Sequence, residues 1–280
     1  MRAQTVAWLW AVLLLGAVAA GWCQEESEDP GFFPNFIYAS QLGVGAYQKD
    51  ELTVKVARLP IGMRLRSVED GWGLRLQLPV IFGRFELDDT AAARGVPADR
   101  LELDAVSFVP ALTAEVPAGR RWLLLPKAGL GYGRDLHGGE EVLMWTAALG
   151  GRARWQHGDT LLTFGSALTF AGNRSLESDR RDRYASLDLG FEARFPIAMR
   201  WGGAPADIGP WVAQYLFFGD LELVRYLDVA IVTGGLYEVG FAVGPREPAR
   251  RWGVPVPRLG VSYRFGSGVE GWFLNFGFPL

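Results

Sequence analysis

The chain of 280 residues is poor in the residues that usually build small-molecule or metal chemistry. A single Cys, Cys23, excludes an intramolecular disulfide framework and any Cys-cluster metal site. Two His, at 137 and 157, leave too few ligands for a multi-His zinc or iron centre. The sequence therefore calls for no metal and no cofactor. Charged residues make up only 21% and the formal net charge is -3, so nothing pulls the chain toward nucleic acid. Apart from the N-terminus there is no run of 18 uncharged apolar residues, which excludes a further membrane-spanning helix. Mean hydropathy is only +0.10, too polar for a bundle of membrane helices. What the chain does have is 36 Gly, 11 Trp and 17 Phe, an aromatic load that excludes a disordered polymer.

The N-terminus reads as an export signal. Arg2 is followed by an uncharged apolar stretch from about Val6 to Ala20, closed by small residues and then by the acidic run Gln24-Glu-Glu-Ser-Glu-Asp29. A short basic start, a short apolar core and A-x-A-like residues describe a cleaved secretory signal over residues 1–23. At roughly 15 residues the stretch falls short of the ~20 needed to span a bilayer as a helix. An acidic segment, 24–34, comes next. Trp22 ahead of Cys23 is too large for a lipidated cysteine.

From residue 35 onward the dominant signal is alternation. Ala185, Leu187, Leu189, Phe191, Ala193, Phe195 and Ile197 fall on one face of a strand, with Ser186, Asp188, Gly190, Glu192, Arg194 and Pro196 on the other. The same separation holds from Trp72 to Phe82, from Leu143 to Gln156 and from Arg258 to Phe265. Turn signals such as Glu69-Asp-Gly71, Pro117-Ala-Gly119, His157-Gly-Asp159 and Gly266-Ser-Gly268 divide the segments. The reading gives about twelve strands (10–14): 36–48, 53–67, 72–87, 103–117, 122–134, 142–156, 160–172, 184–198, 209–219, 225–244, 257–266 and 270–280. The tenth is long for one strand, and Gly234-Gly235 is the expected bulge or turn within it.

Alternation alone also fits a soluble β-sandwich. Three observations favour an all-β single antiparallel transmembrane barrel over residues 35–280. Trp122 and Tyr132, and again Trp145 and Trp155, share an apolar face ten residues apart. At ~3.3 Å per residue and a tilt near 45°, ten residues climb about 23 Å, close to the ~25 Å apolar band between the aromatic girdles of such barrels. With the N-terminus on the periplasmic side, Trp72, Trp122, Trp155 and Trp211 fall at one set of strand ends and Tyr132, Trp145 and Tyr184 at the other. Linkers alternate short and long as well, although 202–209 and 245–256 are long for the short side. Finally, the last segment keeps alternating to the terminus, with Trp272, Leu274, Phe276, Phe278 and Leu280 on one face, as a strand that closes a barrel must.

An export signal, about twelve alternating strands and the terminal segment Gly271-Trp-Phe-Leu-Asn-Phe-Gly-Phe-Pro-Leu280 resemble a Gram-negative outer-membrane β-barrel. Size and strand number are similar to the translocator barrel of autotransporters, here as a solitary barrel with no passenger. The chain departs from the pattern by ending in Pro279-Leu280 where such barrels end in Phe. The resemblance implies a place in the cell outer membrane, contact with its lipid and lipopolysaccharide, and handling by the barrel-assembly machinery during biogenesis.

On this register Arg64, Arg66, Arg75, Lys127, Arg152, Arg154, Arg194, Arg258 and Arg264 point into the lumen with Glu115, Asp188, Glu192 and Glu238. Basic rings favour anions in a narrow pore, while paired charges would fill and close it; twelve strands allow either. The acidic segment 24–34 is a candidate plug for the basic surplus. The expected role is passive, without catalysis. Two alternatives stay open: an outer-membrane hydrolase of lipid or lipopolysaccharide using His137, two residues after Asp135 in an outer loop, and a surface adhesin or scaffold acting through its loops.

Overall fold

The computed structural model describes residues 33–34, 44–49, 52–87, 102–137, 139–226, 229–247, 249–251 and 254–280. Residues 1–23, expected to be an export signal, and the acidic segment apart from Phe33 and Pro34 lie outside the described residues. The chain forms twelve strands: β1 (Val44–Lys49), β2 (Leu52–Arg66), β3 (Gly73–Leu87), β4 (in two pieces, Glu102–Phe108 and Ala111–Ala118), β5 (Trp122–Asp135), β6 (Glu141–His157), β7 (Thr160–Ser175), β8 (Arg181–Trp201), β9 (Ala204–Tyr226), β10 (Val229–Pro245), β11 (Leu259–Gly266) and β12 (Val269–Asn275). Each pairs antiparallel with its neighbours in sequence, and β12 pairs with β1, from Val269↔Lys49 to Leu274↔Val44. The sheet is thus a closed up-and-down barrel with no free edge, the arrangement that leaves no ladder of unpaired backbone groups.

β4 is interrupted where Pro110, which has no N–H to give, comes after Val109; β3 and β5 bridge the break by pairing with both pieces. The piece Phe33–Pro34 pairs with Arg225 and Val224 near the end of β9. We call the end carrying 136–137, 139–140 and 176–180 the upper end. The lower end carries 67–72, 119–121, 158–159, 202–203 and 246–258. In the last of these, Arg250–Arg251 pairs with Val254–Pro255.

Alternation sorts the two faces of the wall. Leu59 (57%), Ile61 (56%), Leu130 (63%), Val212 (56%) and Trp272 (65%) are exposed outside. Their neighbours Val54, Val56, Gly131, Trp211 and Phe273 point inside. An apolar exterior this continuous around a wall whose backbone is internally paired is suited to hydrocarbon rather than water.

Several boundaries differ from the sequence reading. The long lower linker expected at 202–209 is a tight turn at Gly202-Gly203, because both glycines take positive φ (60° and 90°) and β9 starts at Ala204. Gly234-Gly235 does not end a strand. β10 runs past it, and the register with β9 slips there, from Leu216↔Gly235 to Leu221↔Thr233, so the extra residues sit on the partner strand. The last strand does not reach 280. It stops at Asn275, and Gly277, at φ 113°, lets the chain leave the wall.

Candidate functional site

The interior of the barrel concentrates the polar and charged groups, and it changes character from top to bottom. In the upper half, Tyr47, Leu52, Val54, Val56, Ile81, Phe85, Leu87, Leu103, Val142, Met144, Tyr184, Leu236, Val269 and Phe273 form one buried apolar cluster, with Tyr215 and Phe217 packed against it. These side chains fill the lumen across β1, β2, β3, β4, β6, β8, β10 and β12.

Below the cluster, three donor side chains converge on one carboxylate. Glu238 is 1% exposed. Arg264 reaches its Oε2 with Nη2 at 2.7 Å and Nε at 3.2 Å, the Tyr215 hydroxyl donates to the same oxygen at 2.7 Å, and Trp211 Nε1 donates to Oε1 at 3.3 Å. The Arg264 guanidinium also lies 4.5 Å from the Tyr215 ring centroid and 4.6 Å from that of Phe273. A buried ion pair survives only when its remaining hydrogen-bonding capacity is met, and both oxygens of this carboxylate are met.

The lower half is charged. Arg75 and, at 3.8 Å, Arg64 approach Glu115. Arg194 (2.6 Å) and Arg258 flank Asp207, which is 2% exposed. Arg194 also donates to the carbonyls of Pro245 and Arg246, and Arg258 to those of Ala242 and Pro245. Glu192 is buried, with Oε1 lacking a hydrogen-bond partner. A cavity of about 250 Å³ opens here between Gln156, Leu161, Arg194, Asp207 and Arg246.

The chain's own last residues occupy part of this space. Gly165 and Gly190 pair across β7 and β8 and face inward. A Cβ placed on Gly165 would lie 2.6 Å from Leu280 Cβ, and one on Gly190 would lie 2.9 Å from Phe278 Cζ. Phe278 and Leu280 therefore rest on a seat that only glycine leaves open, and Arg152 Nη2 donates to the Leu280 carbonyl oxygen at 2.7 Å. Alternation alone places both apolar residues on the outer face of the last strand. The turn at Gly277 reverses that.

Most of the lumen residues expected from sequence are inside. Arg64, Arg75, Lys127, Arg152, Arg154, Asp188, Glu192, Arg194, Glu238 and Arg264 point inward on the observed register, and Arg258 reaches inward just ahead of β11. Arg66 does not. The register slips between Arg64 and Arg66, Arg66 pairs with outward Leu74, and its guanidinium stacks 4.3 Å from the Trp72 ring centroid at the lower rim. One extra residue in a strand re-aims the side chains beyond it.

Trp72, Trp122 and Tyr132 are exposed outside, and Trp145 and Trp155 lie on the same outer face, Trp155 in edge contact with Phe191. Trp211 (3% exposed) and Tyr184 (6%) are not part of any girdle: both are buried in the interior. Their sequence neighbours carry the signal. Trp211 has the parity of Asp207, Gly209 and Tyr215, and Tyr184 that of Ser186 and Asp188. Asp207, Trp211 and Tyr215 are among the interior residues that sequence reasoning misses. It leaves Asp207 in a turn and makes Trp211 a strand-end anchor.

In the upper loop, His137 lies beside Asp135 and Asp104. Asp135 Oδ1 accepts the His137 backbone N–H at 2.8 Å, while the ring Nδ1 accepts the backbone N–H of Asp104 at 3.3 Å. The first ties the loop back to the end of β5, and the second braces it against β4.

No protein-family model and no curated protein matches the sequence. Among solved structures the chain is similar to the β domain of the Bordetella autotransporter BrkA, with TM-score 0.54 and 12% identity over 84% of this chain and 96% of that one. The fold is that of an autotransporter β domain. In the present autotransporter-type barrel, the described interior is filled by the barrel's own side chains above and partly occupied by residues 278–280 below.

Proposed function

We propose that this chain is an integral outer-membrane barrel with a passive, non-catalytic role, exported by the signal segment 1–23 and closed at rest. Its upper end, with residues 136–137, 139–140 and 176–180, faces outward, in contact with lipopolysaccharide. The lower end, with its tight turns, faces the periplasm. The lipid of the outer membrane and the barrel-assembly machinery are its partners. One observation carries the closed reading: the upper half of the lumen is packed with apolar side chains, among them Leu52, Met144 and Leu236 at 0–1% exposure, so no continuous aqueous path crosses that level. The basic surplus of the lower half supports a second reading, a narrow anion-selective channel that opens only when the upper packing is displaced.

Two measurements test this. Membrane fractionation with heat-modifiable gel mobility is expected to place a folded barrel in the outer membrane; a soluble periplasmic chain would overturn the reading. In planar bilayers the purified protein is expected to show no steady current at low voltage. A stable open level in the unmodified protein would replace the closed barrel with the channel. For the hydrolase alternative, His137→Ala is expected to leave lipid and lipopolysaccharide unmodified to the same extent as the parent protein.

A further inference from the structure

At mid-height, where the apolar upper half meets the charged lower half, the interior holds a small polar cavity of about 20 Å³ between β2, β3, β4, β5 and β6. Arg58, Gln77, Lys127 and Thr146 line it together with apolar residues including Ile81 and Val109. Two features bear on what it holds. Neither Arg58 nor Lys127 forms an ion pair with any described residue, whereas the arginines 64, 75, 194, 258 and 264 all lie against carboxylates. Second, Arg58 Nε and Thr146 Oγ1 are buried and have no hydrogen-bond partner. A buried donor without an acceptor, beside a cation without a counter-charge, is costly on both counts.

We propose that this cavity binds one halide-sized anion, chloride in the cell, held by the Arg58 guanidinium, the Lys127 ammonium, the Thr146 hydroxyl and the Gln77 amide. All four groups can donate hydrogen bonds, and none need act as acceptor. Size selects the ligand. The free volume suits a single particle not much larger than water, so phosphate, sulfate and carboxylate ligands do not fit. A water molecule would meet the orphaned donors but leave two like charges facing one another where the effective dielectric is low. The anion answers both needs, and its site stands whether or not the barrel conducts.

The test uses the whole protein folded in detergent micelles, with the unfolding midpoint tracked by circular dichroism at equal ionic strength in sodium chloride, bromide and gluconate. A ligand that binds only the folded state raises its stability, so chloride and bromide are expected to raise the midpoint by several degrees over gluconate. Lys127→Met and Arg58→Met are each expected to abolish that difference while unfolding no earlier than the parent in gluconate, since each removes one uncompensated charge. Equal midpoints of the parent protein in all three salts would overturn the proposal in favour of water, and a halide effect that survives both substitutions would move the anion elsewhere. Should either variant fail to fold, crystals of the unaltered protein grown in bromide decide the matter. An anomalous peak between residues 58 and 127 is expected, and its absence would refute the site.

Discussion

The upper and lower halves of the barrel interior come from the same strands and the same alternation, yet they solve opposite problems. Above, inward positions of β1 to β3 carry Tyr47, Val54, Val56, Ile81 and Phe85, and the lumen is packed like the core of a soluble domain. Below, inward positions of β6, β8 and β9 carry Arg152, Arg154, Glu192, Arg194 and Asp207, beside a cavity of about 250 Å³. The Glu238–Arg264 pair sits at the seam, with Tyr215 and Phe273 reaching into the apolar side. The difference teaches that a wall facing hydrocarbon outside does not dictate what lies within. The upper half is held by apolar burial, which does not depend on charge screening. The lower half is held by charge pairs and carbonyl contacts that water can enter.

Substitutions at equal depth of burial separate the two. The largest loss is expected above. Phe85→Ala removes a side chain that is 2% exposed and leaves a cavity in packed surroundings, a change worth about 3–5 kcal/mol. Urea unfolding in detergent should show that loss at any salt concentration; a loss under about 1 kcal/mol would mean that the upper half is not a packed core. Asp207→Ala, equally buried, should cost less, about 1–3 kcal/mol, because Arg194 and Arg258 keep their bonds to the Pro245, Arg246 and Ala242 carbonyls. The same unfolding assay should show part of this loss recovered at high salt. If Asp207→Ala proves the more damaging, or insensitive to salt, the lower half is as dry as the upper and the distinction fails.

Much of this organisation is legible in the chain. The twelve strands emerge from period-2 alternation because a barrel wall has only two faces, and each inward or outward choice repeats for the length of a strand. Legibility fails where one residue breaks the count. Alternation assigns Arg66 to the lumen, but the bulge beside it turns it onto Trp72. Large aromatics mark strand ends in membranes, which puts Trp211 and Tyr184 on the exterior, although parity with Gly209 and Ser186 places them inside. Asp207 is hidden in a segment that reads as a loop, since Gly202-Gly203 can close a turn in two residues only if both take left-handed backbone angles. Alternation places Lys127 in the lumen, but its meeting with Arg58, unpaired like it, is beyond sequence reasoning. They lie on β2 and β5 with two other strands between them, and only the register brings them to one cavity.

The smallest expected effect concerns the seat of residues 278–280, and it asks whether the lower half is filled by a fixed part of the fold or by a displaceable one. Gly165→Val would put a β-branched side chain where strands favour it, but directly against Leu280 Cβ. The barrel wall should therefore tolerate the change, with less than about 1 kcal/mol lost, while the last residues leave the lumen. In a Leu280→Cys background, reaction with a water-soluble maleimide from the lower end is expected to be slow, because residue 280 is held by Arg152 and flanked by Phe278. Adding Gly165→Val should speed it severalfold. An unchanged rate would mean that the tail is already free of its seat, and the lower chamber would then be open at the lower end up to the level of Glu238. A fast reaction accompanied by a large loss of stability would make the tail an integral part of the core, and the lower half would resemble the upper more closely than its charges suggest.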